Sequence, residues 1–381
     1  MQFVHLGYTD KLRERLERES PFIQVVLGPR QVGKTTSILR LIEDHFPDSA
    51  LYVSTDDHFN PNGEWLAEQW LIAAGEKKIL VVDEIQKIFN WPETIKRLYD
   101  NAKRRNSLLR CVLLGSSSLQ IQKGLTESLT GRFQLIRAHH WNFHESAAGY
   151  GLDFDEYLRY GGYPGSYPLI NNDDWADYVK TSIVETVVEK DILQFHNIRN
   201  PALFRQAFEI LISYPAQEIS YTKLLGQLQE RGNVELVKHY LKLYEGAFLI
   251  KHLEKFSNKK LLQRASAPKI VPLAPCLPYL QIRTEYKPEE KGRIFETLVG
   301  SQLIRTGEEV FYWRDGNNEV DYVFRYGRNI WAIEVKSGRK EKRSALLEFQ
   351  KRNPNARLAI INQDTYQEFE KDPLLFLQEK F

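Results

Sequence analysis

The sequence predicts an α/β protein: a parallel sheet covered by helices, then a mostly helical segment, then a mixed α/β domain. Three observations carry this. Apolar runs of strand length alternate with helical stretches through the first 150 residues, as in sheets covered on both faces. A glycine-rich turn separates the first run from the helix that follows it. After about residue 150 the alternation stops, and it resumes near Gly292.

The elements follow in order. Residues 10–20 are dense in charge, with Leu12 and Leu16 at helical spacing, and read as an exposed helix ended by Pro21. Residues 22–27 read as a buried strand, and a helix starts at Lys34. The runs 51–54, 79–82 and 111–114 read as further parallel strands. Gly161-Gly162-Tyr163-Pro164-Gly165 is a loop, because adjacent Gly and Pro break both regular structures. Helices dominate from Asp173 to about Glu245: 204–213, then 223–231 capped by Ser220 or Thr222, then 235–245 capped by Asn233. Residues 248–253 form a strand and 257–260 a hairpin tip, so this stretch reads as a winged helix. Pro268, Pro272, Pro275 and Pro278 mark a connector. The expected domains are therefore 1–150, 151–265 and 266–381.

Composition narrows the class. The 381 residues are 42% hydrophobic and 27% charged, which suits a globular chain rather than a disordered or coiled-coil one. Lys+Arg total 52 against Asp+Glu 50, so whole-chain charge does not announce a nucleic-acid binder. The two cysteines, Cys111 and Cys276, lack CxxC partners, which excludes a disulfide framework and a cysteine zinc site. No apolar run approaches the ~18–20 residues of a membrane span. The first residues lack a signal-peptide core. The expectation is a soluble, cytoplasmic protein with no membrane partner.

Gly28-Pro29-Arg30-Gln31-Val32-Gly33-Lys34-Thr35 matches G-x-x-x-x-G-K-[ST] between a strand and a helix. Glycines let backbone N–H groups approach phosphate oxygens, and the helix N-terminus adds positive dipole. Lys34 would reach the β- and γ-phosphates, and the Thr35 hydroxyl would ligate Mg²⁺. Thr36 completes the nucleotide-binding set, and the expected ligands are ATP and Mg²⁺. The run 79–82 ends in Asp83 and Glu84, at the strand end where α/β ligands bind. Asp83 would hold the magnesium through water, and Glu84 would polarise the attacking water. Ser117, or Ser116, could sense the γ-phosphate; a plain serine-rich turn is the other reading. Arg132 could serve as an arginine finger, in cis or in trans, or be a surface arginine.

Residues 28–35, Asp83-Glu84-Ile85-Gln86-Lys87, Gly115–Ser118 and Glu127–Arg132 together resemble the AAA+-type ATPases of bacteria and archaea. More narrowly they resemble the group that carries a C-terminal domain of unknown function, and Tyr160–Pro164 and Val188–Ile192 match it too. The resemblance covers nearly the whole chain. It departs at His139-His140-Trp141-Asn142-Phe143-His144-Glu145, read as a polar surface variant in preference to a metal site. The middle segment resembles that group's winged helix. Its third helix offers Lys238, His239 and Lys242 against Glu235 and Glu245, which leaves DNA contact and protein contact both open.

Near the C-terminus, Asp321 starts one apolar strand, and Glu334 and Lys336 share a face of the next. A hairpin would bring them together. Such carboxylates are costly to bury unless they pair or bind a metal, and Mg²⁺ or Mn²⁺ suits hard oxygen ligands. Asp321 and Glu334 are thus candidate ligands of a second metal site, with Lys336 stabilising hydroxide or phosphate charge and Glu296 completing the set. A surface salt bridge is the alternative. With 292–299, Trp313-Arg314 and Glu319-Val320-Asp321, this resembles the PD-(D/E)XK nuclease fold. The basic run 339–343 would suit a phosphate backbone or be a solvated loop. Where the family usually has a Lys-x-Pro-Lys run and a strand ending in aspartate, this chain reads Ala267-Pro268-Lys269 and continues to Pro275 without an acid. The leading expectation is an ATPase coupled to a DNA-binding, nuclease-like domain. The rival is a nucleotide-regulated switch that engages DNA or protein without cutting, and oligomer formation is open.

Overall fold

The computed structural model describes residues 3–107, 109–115, 118–228, 233–257, 266–282, 285–337 and 343–381. The chain forms two compact units. One takes Met1–His140 with Thr181–Asn197, the other Trp141–Lys180 with Ile198–Phe381.

The first unit opens with α1 (Tyr8–Glu17), which buries Leu12 and Leu16 as their spacing requires. Then come β1 (Ile23–Leu27), α2 (Lys34–His45), β2 (Ala50–Ser54), α3 (Gly63–Ile72) and β3 (Ile79–Asp83). After these lie α4 (Trp91–Arg104), β4 (Arg110–Gly115), α5 (Ser118–Ser128) and β5 (Phe133–Arg137). The strands form one parallel sheet in the order β2-β3-β4-β1-β5. Every residue of β1 and β3 is buried, because both strands are covered on two faces. Each valine, leucine or isoleucine so buried contributes about 1.5–3 kcal/mol. Since β4 alone lies between the parallel strands β1 and β3, the turns after β1 and β3 lie close together at the C-terminal end of the sheet. The sequence pattern does not anticipate β5. Phe133-Gln134-Leu135-Ile136-Arg137 mixes polar and apolar residues, and only Ile136 is fully buried, which fits an edge strand.

The second unit begins with α6 (Phe143–Tyr150), α7 (Phe154–Tyr160) and α8 (Asp174–Tyr178). It continues with α9 (Pro201–Ile212), β6 (Gln217–Glu218), α10 (Tyr221–Gln227), α11 (Val234–Gly246), β7 (Ile250–Leu253) and β8 (Lys269–Pro272). Ser220 caps α10 by accepting the Lys223 N–H, and Asn233 caps α11 by accepting the Leu236 N–H. Each such cap is worth about 1 kcal/mol. The strands pair antiparallel in the order β6-β8-β7. Residues 258–260 of the expected hairpin tip lie outside the described residues. The proline-bearing stretch is not an open connector: β8 and α12 (Cys276–Ile282) occupy it, with Ile270, Val271, Cys276 and Leu277 fully buried.

Beyond it come α13 (Pro288–Arg305), β9 (Glu309–Asp315), β10 (Asn318–Tyr326), β11 (Asn329–Lys336), α14 (Ser344–Arg352), β12 (Arg357–Asn362), α15 (Gln363–Lys371) and α16 (Pro373–Lys380). The sheet order is β12-β11-β10-β9, antiparallel except for the parallel pair β11–β12. Phe295, Leu298, Tyr322, Phe324, Trp331 and Ile333 share one apolar cluster, and Val320, Val323, Ala332 and Phe349 another. Val320 and Val323 join the same cluster although three residues apart. The β9–β10 register slips between them, and the irregularity re-aims Asp321 and Tyr322. Among the described residues, no helix is long and apolar enough to cross a membrane.

Candidate functional site

The turn between β1 and α2 has the backbone a phosphate cradle needs. Gly33 has φ +80°, a left-handed conformation that favours glycine, and it leads directly into α2. A Cβ on Gly28 would lie 2.6 Å from the Ala138 carbonyl oxygen, so only glycine fits there. The Lys34 ammonium is buried and donates to the carbonyls of Gly28 at 3.1 Å and Pro29 at 2.6 Å. Burial lowers its pKa to about 8, despite the opposing pull of Glu84 and Asp83. Arg30 in the same loop makes a two-pronged pair with Asp191, at 2.7 and 2.6 Å. Asp191 is buried in the helical stretch that returns the chain to this unit.

The acidic pair sits at the end of β3, one strand from the loop. The Thr35 hydroxyl donates to Asp83 Oδ2 at 2.6 Å, and the Tyr52 hydroxyl donates to the same oxygen at 3.0 Å. Burial and Asp83 push the Tyr52 phenol well up, so it remains a donor. These hard oxygens fit Mg²⁺. Glu84 adopts a left-handed backbone at φ +51°, uncommon for a non-glycine residue and frequent at functional sites. Gln86 Nε2 donates to Glu84 Oε2. Tyr52, Gln86 and Asp191 are additions to the sequence-derived set. Gln86 stands in the Asp83–Lys87 motif and Asp191 in 188–192, but Tyr52 on β2 carries no local signal.

Arg132 is elsewhere. Its guanidinium makes a two-pronged pair with Asp100 on α4, at 2.8 and 3.0 Å. It precedes β5, whose first residue Phe133 pairs with Ile23, whereas the phosphate loop follows Leu27 at the other end of β1. Five residues of strand, at about 3.3 Å each, separate the two ends. Arg132 therefore does not reach the loop of its own chain, which removes the cis role. Ser116 and Ser117 lie outside the described residues.

In the second unit, Glu296 on α13, Asp321 on β10, and Glu334 and Lys336 on β11 converge as the hairpin requires. Lys336 pairs with Glu334 Oε1. β10 parts from β11 beyond Tyr322, whose partner is Ile333. There Asp321 Oδ2, instead of a backbone carbonyl, accepts the Val335 N–H at 2.7 Å. A residue absent from the expected set sits at the centre: the fully buried Lys269 of β8. Its ammonium pairs with Glu296, lies 3.6 Å from Glu319 and 4.0 Å from Asp321 Oδ1, and donates to the Asp321 carbonyl at 3.1 Å. Burial alone would lower its pKa, but Glu296, Asp321 and Glu319 outweigh burial and hold it above the ordinary lysine range. Burial, with Asp321 nearby, raises Glu296 to about 8 and Glu334 to about 7.

This cluster does not fit the expected second metal. Asp321 Oδ1 faces Lys269, Asp321 Oδ2 holds Val335, and Glu334 Oε1 holds Lys336. Glu334 Oε2 and Glu296 Oε1 are buried without a hydrogen bond among the described residues, but Glu296 Oε1 is ion-paired with the Lys269 ammonium, which repels a divalent ion at that oxygen. Among the described residues, no group of three or more His, Cys, Asp or Glu side chains is placed to hold a metal. The segment 139–145 departs from a polar surface: His140 is buried, and His144 Nδ1 lies 2.6 Å from the buried Glu370. Glu370 also accepts the N–H groups of Phe143 and His144, satisfying the first turn of α6.

Comparison with known proteins agrees with the first unit's geometry. Residues 20–147 match the AAA domain family model, 151–273 match a domain of unknown function (DUF8612), and 291–377 match another (DUF4143). The chain is 28% identical over 340 residues to the uncharacterized protein MJ1544 of Methanocaldococcus jannaschii, covering 82% of this chain and 74% of that one. Among solved structures, the Walker-type ATPase paby2304 of Pyrococcus abyssi aligns at 15% identity and TM-score 0.46, covering 72% of this chain and 95% of that chain. AMPPCP-bound DnaA from Aquifex aeolicus aligns at 13% and 0.33, covering 63% and 86%. Likenesses this remote say nothing of what this chain does. The AAA match, the five-stranded parallel sheet and the phosphate-loop turn together give the first unit the AAA-type ATPase fold.

Proposed function

We propose that the first unit binds ATP with Mg²⁺ and hydrolyses it, and that the bound nucleotide regulates the second unit. The observation that carries this is the 2.6 Å hydrogen bond from Thr35 to Asp83, beside the buried ammonium of Lys34. It brings together the hydroxyl and carboxylate that would hold Mg²⁺, next to the cation that would meet the terminal phosphates. The magnesium would neutralise charge on the phosphates. Lys34 exchanges the Gly28 and Pro29 carbonyls for phosphate oxygens, and Glu84, steadied by Gln86, takes the proton of the attacking water. Glu84→Gln tests this directly. It should bind ATP as the wild type does and hydrolyse it far more slowly. Wild-type turnover in that variant would remove Glu84 from the chemistry.

In the second unit, α9 to α11 with the β6-β8-β7 sheet support a winged helix. The order α13, β9, β10, β11, α14, β12 around a mixed sheet supports a nuclease-like module. Lys238 on α11 pairs with Glu235 at 3.0 Å, so this helix offers DNA little net charge. The lysine inside the carboxylate cluster favours the second reading: a nucleotide-regulated module that engages DNA or protein without cutting.

A further inference from the structure

The nuclease-like cluster gathers Glu296, Glu319, Asp321 and Glu334 in a largely buried space. Carboxyls out of water are costly to ionise unless a cation pairs with them, and otherwise they hold their protons. Metal-dependent enzymes supply a divalent ion for this purpose. Here β8, a strand of a different sheet, projects Lys269 into the cluster with no exposed surface. Its ammonium pairs with Glu296, donates to the Asp321 carbonyl at 3.1 Å, and lies within ion-pair distance of Glu319 at 3.6 Å and Asp321 Oδ1 at 4.0 Å. The Tyr322 ring lies 5.0 Å away and adds its face to the same charge. A divalent ion held by Glu296 and Asp321 would sit against this fully buried ammonium, where burial strengthens the repulsion between the two cations.

We propose that the Lys269 ammonium is the resident cation of this site, and that it takes the place of the divalent metal. The inference rests on the nuclease-like reading of this module. The site then serves as a latch: one lysine ties the β6-β8-β7 sheet to α13 and β10, while no metal is recruited for phosphodiester cleavage. Arg314 strengthens the same junction by pairing with Glu218 of β6 and with Glu319 of β10.

The test uses Mn²⁺ itself, with the full chain carrying Lys34→Ala and no nucleotide present. Free Mn²⁺ is followed by electron paramagnetic resonance and the chain by thermal unfolding. The expected result is that this chain leaves the Mn²⁺ signal undiminished and its melting temperature unmoved. Adding Lys269→Met, which keeps the packed stem, should lower the melting temperature and create one Mn²⁺ site per chain that restores part of the loss. Adding Asp321→Ala should then abolish that site. Mn²⁺ bound by the Lys34→Ala chain and lost with Asp321→Ala would overturn the proposal, while leaving the nuclease-like reading intact. If neither Lys34→Ala nor a folded Lys269→Met form takes up Mn²⁺, something other than the ammonium excludes the metal, and the nuclease-like reading falls with the proposal. Should Lys269→Met not fold, the Lys34→Ala chain decides by itself.

Discussion

Arg30, in the phosphate-binding loop, is clamped by Asp191, 161 residues later, through hydrogen bonds of 2.7 and 2.6 Å. Asp191 is buried and Arg30 largely so. Removing one partner of such a pair leaves an uncompensated charge. Asp191→Ala should therefore cost about 3–5 kcal/mol by denaturant unfolding. Replacing both by apolar residues, Arg30→Met with Asp191→Leu, should cost much less. A double variant as unstable as Asp191→Ala would show that the pair is not what holds this loop.

Nucleotide affinity should depend on pH through Lys34. Burial holds its pKa near 8 without nucleotide, and phosphate oxygens would raise it again. Binding above that pH takes up a proton, so ATP affinity should fall by up to about tenfold per pH unit between about pH 8 and 10. Calorimetry in buffers of different ionisation enthalpy reads the uptake. The sign for folding is opposite: a depressed lysine binds fewer protons than in the unfolded chain, so its contribution to stability grows from about pH 8 to 10.5. Affinity flat across pH 8 to 10 would mean that Lys34 does not meet the phosphates.

Arg132 can contribute to hydrolysis only from a neighbouring chain, since it lies at the far end of β1 from its own loop. If it does, activity per chain should rise with protein concentration, and Arg132→Ala should slow turnover by roughly 10³ while sparing ATP binding. Asp100→Ala, which frees the guanidinium, should have a much smaller effect. A rate independent of concentration from a monomer would confine Arg132 to its pair with Asp100.

The carboxylate cluster should make the second unit less stable as pH rises. Glu296 and Glu334 have folded pKa values raised to about 8 and 7 by burial, so the folded chain retains protons that the unfolded chain has released. The stability they contribute is full below about pH 4.5 and is lost as pH climbs through 7 and 8. Glu296→Gln should flatten this decline, measured by denaturant midpoints from pH 5 to 8. An unchanged slope would place the titrating group elsewhere.

The parts of the molecule visible in the sequence are those whose physics is local. The apolar runs of β1 and β3, the glycines of the phosphate loop, and the caps Ser220 and Asn233 each follow from a few adjacent residues. Asp321, Glu334 and Lys336 were within reach because strand alternation and one hairpin bring them together. Lys269 was not: Ala267-Pro268-Lys269 shows nothing of the carboxylates it meets, which come from α13 and β10 far along the chain. β5 escaped because an edge strand needs no continuous apolar face, and the slip at Asp321 leaves no trace in residue type. The cis role of Arg132 failed for a related reason, since the Gly131-Arg132 dipeptide does not reveal at which end of the sheet it lies.

ATP hydrolysis by the first unit requires ATP to meet the buried ammonium of Lys34, between β1 and α2. Isothermal calorimetry of ATP with Mg²⁺ against the wild type and Lys34→Ala tests this most directly. Without that charge, the backbone N–H groups cannot offset the terminal phosphates. The wild type should bind one ATP per chain, and Lys34→Ala should show no measurable binding. Equal affinity in the two proteins would contradict the assignment of this loop as the nucleotide site.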